Sequence, residues 1–99
     1  MTKIKKSVDA IDEELEGAKD YAEKYVECKA SGNTQWANRY KEMAQDELKH
    51  ANYIHDKAVA DIEEINKVYK PTVEMQEKWD KSHKEYVERT AWIKQMLAM

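Results

Sequence analysis

Cys28-Lys29-Ala30-Ser31-Gly32-Asn33-Thr34-Gln35-Trp36 is the stretch that decides the fold. Gly32 suits the left-handed C-cap that ends a helix, and Asn33 or Thr34 suits the N-cap that opens the next. Long segments with helical apolar spacing run away from it on both sides. Upstream the apolar positions are Ile4, Val8, Ile11, Leu15, Ala18, Ala22 and Tyr25. Downstream they are Trp36, Tyr40, Met43, Ala51, Ile54, Ala58, Ile62, Ile65 and Tyr69. Steps of three and four gather each set on one helix face. A connection of about four residues then forces the two helices into an antiparallel hairpin.

A second break follows at Lys70-Pro71-Thr72. Pro71 has no backbone donor and restricts Lys70, so a helix should end near Tyr69 and another should begin at Pro71. The sequence therefore predicts three helices, at about 3–30, 34–69 and 71–97. The third has the least regular stripe, with Met75, Trp79, Tyr86, Thr90, Ile93 and Leu97. Residues 1–99 read as a single all-α domain, an antiparallel helical hairpin plus a third helix. Composition agrees, because the Gly, Pro and Asn that the turns of a sandwich or barrel need are scarce. Leucine occurs only at Leu15, Leu48 and Leu97. Such thin stripes call for a second copy to cover them, which makes a homodimer or higher homo-oligomer the expectation.

Seventeen basic and twenty acidic residues are interleaved, for a net charge of −3. No basic face or tail suggests nucleic acid, and Lys3, Lys5 and Lys6 read as a solvated cluster followed at once by acids. No apolar run approaches the roughly 18 residues of a membrane span. The N-terminus lacks the apolar core of a signal peptide, and Cys28 is alone, so a cytoplasmic setting is expected.

The informative residues are polar groups on apolar faces. Most acids of the first helix point away from its seam, but Glu14 sits on the seam's flank with Ser7, Ala18, Tyr21 and Tyr25. Glu47 falls near the middle of the second stripe, with His50 one turn later on the same side. Reflecting the hairpin about its loop puts Glu14 level with His50 and Ala51. A buried carboxylate needs a proton, a partner or a metal, and no Lys or Arg shares these inner faces. A Glu-x-x-His pair plus a carboxylate from the neighbouring helix can converge on one ion, and oxygen-rich donors with a single imidazole favour iron or manganese. One hairpin supplies two carboxylates and one histidine. Two hairpins about a two-fold axis supply the full donor set of a di-iron or di-manganese carboxylate bundle.

Glu14, Tyr21 seven residues on, and Glu47-Leu48-Lys49-His50 resemble the ferritin-like superfamily, particularly its rubrerythrin and bacterioferritin branches. The resemblance covers residues 8 to 58. It implies metal ligation by Glu14, Glu47 and His50, and a supporting hydrogen bond from Tyr21. It also implies that two chains pair into a ferritin-like four-helix bundle, as in the half-size encapsulated ferritins, with two irons per bundle. Manganese or zinc would be alternatives to iron. Any activity would be ferroxidase-like, oxidising ferrous iron or reducing peroxide or oxygen. Full-length members carry a second Glu and a second Glu-x-x-His, where this third helix has only Asp80-Lys81-Ser82-His83.

Plainer readings exist for each residue. Glu14 can reach solvent, Glu47 can be a protonated core acid, and His50 can be a neutral histidine bonded to Glu14 or Tyr21. Tyr21 can be a core aromatic, and His55, at the stripe edge, reads as a surface histidine. His83 can add an imidazole to the site by folding over the hairpin, or simply pack. A non-enzymatic helical assembly protein without metal is the competing function.

Overall fold

The computed structural model describes residues 2–99 and contains three helices: α1 (Thr2–Ala30), α2 (Thr34–Asn66) and α3 (Val73–Leu97). They form an elongated bundle of 55 × 17 × 17 Å. The turn between α1 and α2 is built as its sequence requires. Gly32 has φ +78°, the N–H of Gly32 bonds the carbonyl of Lys29, and the N–H of Asn33 bonds the carbonyl of Cys28. Together these satisfy carbonyls that the last turn of α1 leaves open. Asn33 then caps α2 by accepting from the Trp36 N–H.

Two boundaries differ from expectation. α2 ends at Asn66 rather than Tyr69, because Lys67 and Val68 tighten into i→i−3 bonds to Glu64 and Ile65. Tyr69 is left exposed. α3 begins at Val73, not Pro71, because Thr72 is the cap and accepts from the Met75 N–H. Pro71 belongs to the connection, where its ring lies near Ile4, Ile62 and Trp79.

The seam of α1 is as expected, with Ile4, Ile11, Leu15, Ala18, Ala22 and Tyr25 buried. The buried face of α2 is not. It runs through Ala37, Ala44, Leu48, Ala51, His55, Ala58 and Asp61, while Trp36 and Met43 stay 48% and 38% exposed. The reason is that α2 packs chiefly on α1, and its row of small residues makes that contact while the bulkier flank stays partly outside. Alanines at every seventh position (37, 44, 51 and 58) let the helix backbones approach closely. Buried Asp61 is held by Lys3 and Lys57, which keep its carboxyl below the usual range.

The third helix runs parallel to α1. Arg89 reaches Asp12 and Glu16 of α1 at 3.2 and 3.3 Å, Ile93 and Leu97 enter the core, and Lys29 meets the Met99 carbonyl. Contact with α2 is lighter, through Tyr86 to Asn52 and through the rings around His55. All of it lies on one side of the hairpin, leaving the other side uncovered.

Candidate metal centre

On that uncovered side, Glu14, Glu47 and His50 come together, each offering one ligand atom within 4.8 Å of the others. The level predicted by reflecting the hairpin is the level observed. His50 Nδ1 lies 3.4 Å from Glu14 Oε2. Glu47 is partly buried at the edge of the α1–α2 contact, not mid-stripe as the sequence suggested; Leu48 takes the core position beside it. The His50 side chain is 54% exposed and reaches in from the open side.

Gly17, which sequence reasoning passed over, completes the arrangement. A Cβ at Gly17 would stand 3.0 Å from Glu47 Oε2 and 3.4 Å from its Cδ. The carboxylate of Glu47 thus occupies the room left by a missing side chain on α1. Glycine inside a helix costs about 1 kcal/mol relative to alanine, so its placement here needs a reason, and the close approach of Glu47 is one. The signal was readable: one of the chain's two glycines falls mid-helix, one turn from Glu14.

Electrostatics mark the same group. The proximity of Glu14 and partial burial push the Glu47 carboxyl up from 4.5 to about 7, against a smaller opposing pull from His50. Near neutrality the Glu47 carboxyl is therefore still protonated about half of the time, against the neighbouring Glu14. Glu14 Oε2 is buried and has no hydrogen-bond partner. A buried carboxylate oxygen without a hydrogen bond, beside a second carboxyl and an imidazole, has the chemistry to take a cation. Ligand atoms around one ion at about 2.1 Å lie roughly 3–4 Å from each other, so small rotations of Glu47 and His50 suffice. The donor set, two oxygens and one nitrogen, fits a hard or borderline metal.

No family model, curated protein or solved structure matches the chain. The ferritin-like resemblance therefore rests on Glu14, Tyr21, Glu47 and His50 alone.

The auxiliary residues lie elsewhere. Tyr21 stacks on Tyr40 with centroids 6.2 Å apart, and among the described residues it makes no hydrogen bond to the three candidate ligands. His83 does fold over the hairpin, but it meets His55, its Nδ1 standing 2.8 Å from His55 Nε2. His55 is buried, not a surface histidine, because Trp79, His83 and Tyr86 of α3 close over it. A groove of about 850 Å³ lies between α2 and α3, away from the carboxylates, and is lined by Lys41, Lys49, Tyr53, Tyr86 and Lys94 among others. Among the described residues no helix is long and apolar enough to cross a membrane.

Proposed function

We propose that this chain is a ferritin-like metal-binding protein whose iron site is completed by a second copy. The observation that carries the reading is the convergence of Glu14, Glu47 and His50 beside Gly17, with Glu14 Oε2 unpaired. Each chain would hold one iron through these three residues. Two chains would supply four carboxylates and two imidazoles around two ions, the donor set of a di-iron carboxylate bundle. Bound iron would supply one-electron chemistry, so the activity in view is ferrous-iron oxidation coupled to reduction of oxygen or peroxide.

The residues of this chain have definite tasks in that reading. Glu47 must give up its proton before it can ligate beside Glu14. Gly17 leaves Glu47 room to move toward or away from Glu14. His50, open to solvent, meets an incoming ion first. Metal analysis of protein expressed in iron-replete medium, with anomalous scattering at the iron edge, tests the reading. Iron at about one per chain, lost in Glu47→Gln and Glu14→Gln, supports it; absence of iron, manganese and zinc overturns it.

One observation favours a second reading. A protonated Glu47 beside Glu14 is a self-sufficient pair, as in a metal-free assembly protein that keeps the hairpin. In that case Glu47→Gln leaves the metal content at background and the oligomeric state unchanged.

A further inference from the structure

The pairing of His55 and His83 is a separate cluster that the carboxylate site does not use. We propose that these two histidines form a second metal site, for a nitrogen-preferring divalent ion such as zinc, that staples α3 to α2. The proposal is independent of the iron reading.

The two imidazoles come from different helices and face each other nitrogen to nitrogen, His55 Nε2 to His83 Nδ1, at 2.8 Å. His55 is held in place on every side. Its ring stacks on Tyr86 with centroids 4.2 Å apart and planes within 8°, and Trp79 lies 5.6 Å away. Its far nitrogen, Nδ1, is turned to Asp56 Oδ1 at 3.9 Å. At 3.9 Å this is a charge contact and not a hydrogen bond; it favours a proton on Nδ1, which leaves the lone pair of Nε2 for a metal. Burial, helped by His83, holds the His55 imidazole below its usual pKa, so at neutral pH its lone pair is not taken by a proton.

His83 is the adaptable partner. It is exposed, so its ring can turn without disturbing the core. Tetrahedral zinc with Zn–N near 2.0–2.1 Å needs nitrogens about 3.3 Å apart, a widening of roughly half an ångström from the present contact. In the metal-free pair one facing nitrogen donates and the other accepts, with the direction set by the tautomers of the two rings. For both facing nitrogens to ligate, His55 carries its proton on Nδ1 and His83 on Nε2, so neither imidazole loses its proton to the medium. Water completes the coordination on the exposed side. Two imidazoles without a carboxylate ligand suit zinc, nickel or copper, whereas the oxygen-rich group at Glu14 suits iron or manganese.

The staple has a structural effect, because α3 leans mainly on α1 and touches α2 through few residues beyond this cluster. An ion across His55 and His83 would tie the first half of α3 to the hairpin. The test is calorimetric titration of zinc chloride into the full chain carrying Glu14→Gln and Glu47→Gln, which removes the carboxylate site. One zinc per chain is expected, with a rise in melting temperature on saturation. Adding His83→Ala, at an exposed position, should weaken zinc binding at least tenfold and remove that rise, with helicity by circular dichroism unchanged. His83→Gln serves as a second variant in case alanine loosens α3. Zinc binding that persists undiminished in both variants, or no saturable binding in the parent, overturns the proposal.

Discussion

Glu47 is the residue on which the site turns, and its proton gives the sharpest prediction. Its carboxyl sits at about 7 in the folded chain and near 4.5 when free. Between those values the folded chain keeps a proton that the unfolded chain has released. The stabilisation from this group is therefore complete below about pH 4.5 and is lost as pH rises through about 7. Glutamine mimics the protonated form, so metal-free Glu47→Gln should match the parent near pH 4 and exceed it at pH 8. Discounted for screening by solvent, the difference at pH 8 should be roughly 1–2 kcal/mol, read from urea unfolding at the two pH values. A parent that grows more stable from pH 5 to pH 8, with no difference from the variant, contradicts the proton held by Glu47. Metal binding has the opposite slope, since ligation requires the carboxylate, and iron affinity should climb over the same window. Gly17→Ala separates site from scaffold. Alanine restores helix propensity worth up to about 1 kcal/mol, and the end of the Glu47 side chain can give by a few tenths of an ångström. Metal-free stability should hold or rise while iron affinity falls, a split that titration and thermal melting together would show. Glu14, Glu47 and His50 were legible in the sequence because helical spacing and the loop position fix which residues share a level. Their exact depth was not, because Glu47 was placed from a stripe of large apolar residues, while the contact with α1 runs through the row of Ala44, Leu48 and Ala51.

At the scale of elements, the chain is legible where the local chemistry is strong. Gly32 and Asn33 set the first boundary through bonds the backbone needs, and the hairpin follows from them; the start of α3, set by the Thr72 cap, falls two residues later than Pro71 suggested. Gly32→Ala places a Cβ in the left-handed region at the end of α1, at a cost of about 1–2 kcal/mol, visible as a lower melting temperature with no change in the metal site. What the sequence concealed was which side of α2 faces inward. Trp36 and Met43 look like core and are partly exposed, while His55 looks like surface and is buried. Hydrophobicity alone cannot distinguish these, because small alanines let α2 approach α1 closely and the imidazole is covered by stacked rings of α3. The weak stripe of α3 hid its docking for the same reason. Its contacts to the hairpin mix Ile93 and Leu97 with Arg89, His83 and Tyr86, and polar partners leave no apolar period to read.

At the scale of the whole molecule, the side of the hairpin opposite α3 carries the candidate site together with the partly exposed Trp36 and Met43. On α1, Arg89 holds the flank carrying Asp12 and Glu16, while Glu14, Gly17 and Tyr21 lie across the seam on the other flank. On α2, Asn52 and His55 face α3, while Trp36, Met43, Glu47 and His50 face away from it. A second copy seated there, antiparallel about a two-fold axis, would cover Trp36 and Met43 and bring a second Glu14–Glu47–His50 group against the first. The two α3 helices would remain outside the resulting four-helix core. Charged substitutions on this face should then act at a distance from the ligands. Met43→Lys with Trp36→Lys places two cations in the proposed contact and touches none of the three ligands. The parent should run at about twice the 11.7 kDa of one chain by light scattering, and the double variant at the single-chain mass with unchanged helicity. Iron binding should fall with the dimer, because a lone chain offers three protein ligands where two chains enclose two ions with six. A variant that becomes monomeric yet keeps full iron affinity would show that one hairpin suffices and that the second copy has no part in the site.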